Sequence, residues 1–84
     1  MPRALLLQST TWGVAERGVA LDTFRVRREQ LRGSGCNYWV FEQADQPGVF
    51  TQCFEATDPD TLQRARRDLL GVDDTFPILR EVEL

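Results

Sequence analysis

The first constraint on chemistry is an absence: the 84 residues include no histidine, so the usual neutral-pH general base and the commonest metal ligand are missing. All ten basic residues are arginine. Arg28 shares a helical stripe with Leu21, Phe24 and Leu31. From there its guanidinium could enter a pocket and hold an anionic oxygen, or snorkel at the stripe's edge. Glu42 and Glu55 are expected on one sheet face, where an interface could raise their pKa values enough for proton transfer, although rim residues paired with a partner's arginine are commoner. Cys36 and Cys53 are expected to be free thiols buried as small hydrophobes. With no histidine and no closely spaced cysteine pair, a zinc or iron–sulfur site has little to be built from, and no metal or cofactor is expected.

These residues must be positioned by short elements. Ala4 to Trp12 opens with three leucines and continues through Thr10 and Thr11, which suits a strand with both faces covered. Val14 to Arg32 carries Val14, Leu21, Phe24 and Leu31 at helical spacing, with Gly18 either inside the helix or marking a later start, and Gly33-Ser34-Gly35 supplies its stop. The aromatic runs Asn37 to Ala44 and Val49 to Ala56 flank Asp45-Gln46-Pro47-Gly48 and read as a hairpin. A four-residue loop sets Trp39 opposite Phe54 and Val40 opposite Cys53. Asn37, Trp39, Phe41, Phe50 and Phe54 then share the core face, leaving Tyr38, Val40, Glu42, Cys53 and Glu55 on the other.

Asp58 is an N-cap for a second helix, with Pro59 at its first position, Leu62, Ala65 and Leu69 on one stripe, and Gly71 past its end. After a turn at Val72 to Thr75, Phe76 to Leu84 alternates as a final strand. The six arginines Arg25, Arg27, Arg32, Arg64, Arg66 and Arg67 are expected on solvated faces.

The order βαββαβ predicts an α+β, ferredoxin-like fold, with a four-stranded antiparallel sheet and both helices on one side. Residues 1–84 are expected to form one domain. The other sheet face then needs cover, and a second copy of the chain supplies it most economically, so a homodimer through the open sheet face is expected.

The stretch from Gly35-Cys36-Asn37 to Glu42, then Pro47-Gly48-Val49-Phe50 and Phe54-Glu55-Ala56, followed by Leu62 in an acid-capped helix, resembles the antibiotic biosynthesis monooxygenase-like family. The resemblance covers the middle and end of the chain. It implies a dimeric α+β barrel, often with a ligand cavity between sheet and helices, and cofactor-independent oxidation of an aromatic or polyketide-like molecule. Some members use Asn and Trp to hold an activated aromatic substrate beside oxygen, which singles out Asn37, Trp39 and Trp12 by residue type. Phe41 and Phe54 complete the expected pocket wall, and Arg28 its anion-holding edge. As simply, Trp39 and Phe54 are a cross-strand core pair and Asn37 caps backbone groups. The rival reading is a non-catalytic homodimeric module that binds a metabolite or protein.

Composition bounds these readings. A hydrophobic content of 42% and a charged content of 27% describe an ordinary globular domain. The net charge of −3 offers no general attraction for phosphate backbones, and the third strand lacks the outward aromatics of an RNA-recognition motif, so nucleic acid is not an expected partner. No apolar run approaches the length needed to cross a bilayer, no membrane partner is expected, and a cytoplasmic location follows as the expectation.

Overall fold

The computed structural model describes residues 3–70 and 76–84. Its elements are β1 (Ala4–Thr11), a 3-10 turn (Val14–Glu16), α1 (Arg17–Gln30), β2 (Asn37–Glu42), β3 (Val49–Ala56), α2 (Pro59–Ala65) running into a π-helical turn (Arg66–Leu70), and β4 (Ile78–Arg80). The strands form one sheet in the order β2-β3-β1-β4 with every pairing antiparallel. Phe50 and Phe54 lie two turns of the pleat apart on one face of β3. Phe50 packs with Ala20 and Phe24 of α1, and Phe54 lies in a cluster with Leu62 and Ala65 of α2. Both helices therefore cover the same sheet face, and the fold is α+β and ferredoxin-like.

The start of α2 follows from local chemistry. Asp58 is extended and its carboxylate accepts the Thr61 N–H at 2.8 Å, satisfying a donor that a helix start leaves free, while Pro59 occupies the first turn. The same bond holds the Asp58 carboxyl below the ordinary carboxylate range. A carboxyl with a depressed folded pKa contributes stability that is complete above its unfolded pKa and is lost as pH falls through the folded value. Asp58→Ala is expected to lower the melting temperature by roughly 5 °C at neutral pH. In melts followed by circular dichroism, that deficit should close as the pH is brought below the carboxylate range. The expected stop at Gly71, the turn at Val72 to Thr75 and the side chain of Leu69 lie outside the described residues.

Three expectations need correction. Val14 is exposed in a 3-10 turn, so the α1 stripe begins later, with Ala20, Leu21 and Phe24. β4 spans only Ile78–Arg80, because Arg80 already pairs with Ala4 at the start of β1, and only one further ladder bond follows, from the Glu81 N–H to the Arg3 carbonyl. Val82 and Leu84 are exposed rather than aligned with Ile78 on the core face.

The third correction concerns the hairpin. Tyr38, not Trp39, faces Phe54, and Trp39 faces Cys53. The last hairpin bond runs from the Gln43 N–H to the Val49 carbonyl at 2.8 Å, which leaves a five-residue loop, Ala44 to Gly48. A slip of one residue transfers every β2 side chain to the opposite sheet face. Tyr38 and Val40 thus join the core, whereas Asn37, Trp39 and Phe41 project from the face without helices. Glu42 and Glu55, expected on one face, lie on opposite faces.

Packing around β3 divides the core. One cluster gathers Ala4, Leu6, Leu31, Phe54, Ala56, Leu62 and Ala65, and the other Ala20, Phe24 and Phe50, with Trp12, Leu21 and Val40 against it. Gln52 lies between Phe50 and Phe54 in β3 and is 1% exposed. Its Oε1 accepts hydrogen bonds from Arg27 Nη1 and from the Tyr38 hydroxyl, each at 2.7 Å. Burying an amide requires such partners.

Candidate functional site

A groove lies between α1 and the edge strand β2. Leu21, Phe24, Arg25 and Arg28 of α1 face Tyr38, Trp39 and Val40 of β2 around a cavity of about 310 Å³. A second hollow of about 300 Å³ adjoins it, sharing Arg28 and Tyr38 and adding Leu31, Arg32, Gly33, Cys36 and Asn37. The groove exists because residues three, four and seven apart project from one side of α1, which places Leu21, Arg25, Arg28 and Arg32 in a row along β2. Its floor is aromatic and its helical rim cationic.

The six candidate residues separate into distinct environments. Asn37, Trp39 and Arg28 line the two connected hollows. Phe54 is 1% exposed and packs beneath Tyr38, with ring centroids 5.0 Å apart. Trp12 packs edge-on to Phe24 at 6.4 Å and donates its indole N–H to the Thr10 hydroxyl, which gives it a structural position at the end of β1. Phe41 is 61% exposed on the open sheet face. Trp39, Phe41 and Phe54 therefore do not share one pocket wall, because the hairpin register puts the first two and the third on opposite faces. Asn37 donates from Nδ2 to Glu55 Oε1 at 2.9 Å, so its amide is already engaged.

The carboxylates are tied into the chain's own framework. Glu42 takes a two-bond contact from Arg17 and a third from the Gly48 N–H, while Glu55 is bonded by Asn37 and Arg3. Arg17 first and Gly48 second hold Glu42 below the ordinary carboxylate range, and Asn37 and Arg3 do the same for Glu55. This is the reverse of the upward shift that proton transfer would need. Burial raises both thiols, Cys36 and Cys53, which are free and held as neutral groups. Burial also pushes the Tyr38 phenol up to about 12, so it donates to Gln52 as a neutral hydroxyl. Among the described residues no group of three or more His, Cys, Asp or Glu side chains could hold a metal ion, and no helix is long and apolar enough to cross a membrane.

Sequence reasoning missed Gln52 and Arg27. The signal was present in β3, where Gln52 has the same parity as Phe50 and Phe54 and so had to be buried with partners. Arg27 is one such partner instead of belonging to a solvated face. Arg66 is also buried, 6% exposed, and donates to the Phe76 carbonyl at 2.6 Å.

The open sheet face is the second candidate surface. Cross-strand pairing aligns Trp39, Cys53 and Leu7 in one row, Phe41, Thr51 and Ser9 in the next, and Asn37, Glu55, Leu5 and Leu79 in a third. Trp39, Phe41, Leu7 and Leu79 are all large and exposed there. Trp39 belongs both to this face and to the groove wall.

No family model matches the chain, and no curated protein matches it. Two solved structures do. A conserved protein from Methanosarcina mazei Go1 superposes with a TM-score of 0.74 at 16% identity, over 100% of this chain and 95% of that one. Rv0793 from Mycobacterium tuberculosis superposes with a TM-score of 0.63 at 16% identity, over 100% and 96%. What they share with this chain is the fold. At this identity the likeness extends to the arrangement of strands and helices and carries no residue-level role.

Proposed function

We propose that the chain is a subunit of a homodimer, joined through the open sheet face, that binds a small aromatic or polyketide-like molecule in the groove between α1 and β2. The observation that carries this reading is a groove bordered by both Trp39 and Arg28, with Phe24 and Tyr38 as its aromatic floor. Pockets for small ligands are largely apolar, with a few placed polar groups, and this one has that composition. Trp39 links the two halves of the proposal: a partner seated on the open face would also wall the groove's outer lip. The chemistry implied by the resemblance to antibiotic biosynthesis monooxygenase-like proteins is oxidation of the bound molecule by dioxygen without a cofactor.

The second reading, a homodimeric binding module without chemistry, is favoured by one observation. Among the described residues that line the groove, the polar side chains are Arg25, Arg28 and Tyr38, all hydrogen-bond donors, with no carboxylate or histidine among them to serve as a general base. Dioxygen consumption in the presence of an anthrone separates the two: an enzyme consumes it, and a module binds without consuming.

The dimer has its own test. Light scattering at micromolar concentration is expected to give twice the 9.6 kDa chain mass. Phe41→Glu should halve that value while leaving the circular dichroism spectrum intact, since Phe41 is largely exposed and belongs to neither core cluster. A wild-type mass equal to one chain would remove the homodimer.

A further inference from the structure

We infer that the groove selects anionic aromatic molecules, a planar ring bearing a carboxylate or phenolate, and that Arg28 is the residue that imposes the selection. The inference rests on the small-molecule reading above and adds to it the charge of the ligand. Arg28 and Tyr38 belong to both hollows, so Arg28 stands at the groove's waist, beside the aromatic end formed by Phe24, Tyr38 and Trp39.

The electrostatics of the groove run against those of the chain. Acidic residues outnumber basic ones overall, 13 to 10, yet among the described residues no Asp or Glu lines either hollow. The flanking arginines are matched on the helix surface: Arg25 pairs with Asp22 at 3.0 Å and Arg32 with Glu29 at 2.8 Å. Among the described residues Arg28 makes no hydrogen bond and no ion pair. A groove with one unmatched guanidinium and no carboxylate favours a ligand that brings the missing negative charge.

Geometry adds to charge. A guanidinium presents a planar fork that matches a carboxylate with two parallel bonds, while its flat face tolerates an adjacent ring. A ring seated against Phe24 and Tyr38, with Trp39 at the outer lip, therefore presents its anionic substituent to Arg28 without either group leaving the groove. A neutral ring gains the aromatic contact alone.

The test compares 2-naphthoate with 2-naphthamide, which share a ring and differ in charge, by titration calorimetry at low ionic strength. Naphthoate is expected to bind about 10-fold more tightly or better, as a charge-assisted hydrogen bond implies. Arg28→Gln should reduce naphthoate to the affinity of the amide and leave the amide unchanged, Arg28→Lys should restore part of the difference, and Trp39→Ala should weaken both compounds equally. Melting temperature and subunit mass of Arg28→Gln should match the wild type. Equal affinities for the two compounds in the wild type would overturn the selection by charge while leaving the groove as a binding site. No binding of either would sink both readings. A changed mass or melting temperature in Arg28→Gln would assign the arginine to packing and overturn its role.

Discussion

Gly48→Ala is expected to destabilise the protein by about 3 kcal/mol or more, a large fraction of the roughly 5–15 kcal/mol by which folded domains are stable. Two independent costs combine. Gly48 has φ +93°, a conformation a side chain strains to adopt, and a Cβ built there would stand 2.5 Å from the carbonyl oxygen of Trp12. The obstacle is backbone, so no rotamer change relieves it. Retreat would break the bond from the Trp12 N–H to the Gly48 carbonyl at 2.8 Å and disturb that from the Gly48 N–H to Glu42. Gly18→Ala is the control. It sits in the first turn of α1, has nothing within 4 Å of its added methyl, and should be neutral or slightly stabilising. Chemical denaturation of the two variants reads the contrast directly, and equal midpoints would mean that the loop is not held as described.

The second large effect distinguishes the two faces of the hairpin. Phe54→Ala is expected to cost about 3–5 kcal/mol, the range for truncating a large aromatic in a packed core. Trp39→Ala should cost the subunit less than about 1 kcal/mol, because its ring is 46% exposed and supports little beneath it. Any larger loss at Trp39 should depend on protein concentration, as mass action requires of a residue that acts between subunits. Were β2 paired one residue further along, as loop length alone suggests, both rings would be buried and both truncations severe. Denaturation curves at two protein concentrations therefore test register and interface together.

What was legible in the sequence was local. The order of elements, the bounds of β3 and the Asp58 cap each depend on residues within a few positions of one another, where backbone preference and hydrogen-bonding chemistry decide the outcome. The face of β2 was not legible, because it turns on a single residue of loop length set by a long-range bond between Trp12 and Gly48. β4 came out shorter than its alternation suggested since a strand extends only as far as its partner, and β1 begins at Ala4. For the candidate site, Arg28 lies across the groove from Tyr38, Trp39 and Val40. The same register error, however, displaced Phe41 and Phe54 from the pocket they were expected to share with Trp39.

The division of the core by Gln52 has a mechanical consequence. α2 packs on β1, β3 and β4 through the larger cluster, while α1 rests on the sheet through Ala20, Phe24 and Phe50, the Arg27–Gln52–Tyr38 bonds and, at its C-terminal end, Leu31 in the larger cluster. Two attachments built so differently are expected to open separately, α1 from β2 before α2 from the sheet, which hydrogen exchange would read. Amide exchange that is faster along α1 than along α2 and β3 is the result that would admit a molecule between α1 and β2 while the rest of the sheet keeps its shape.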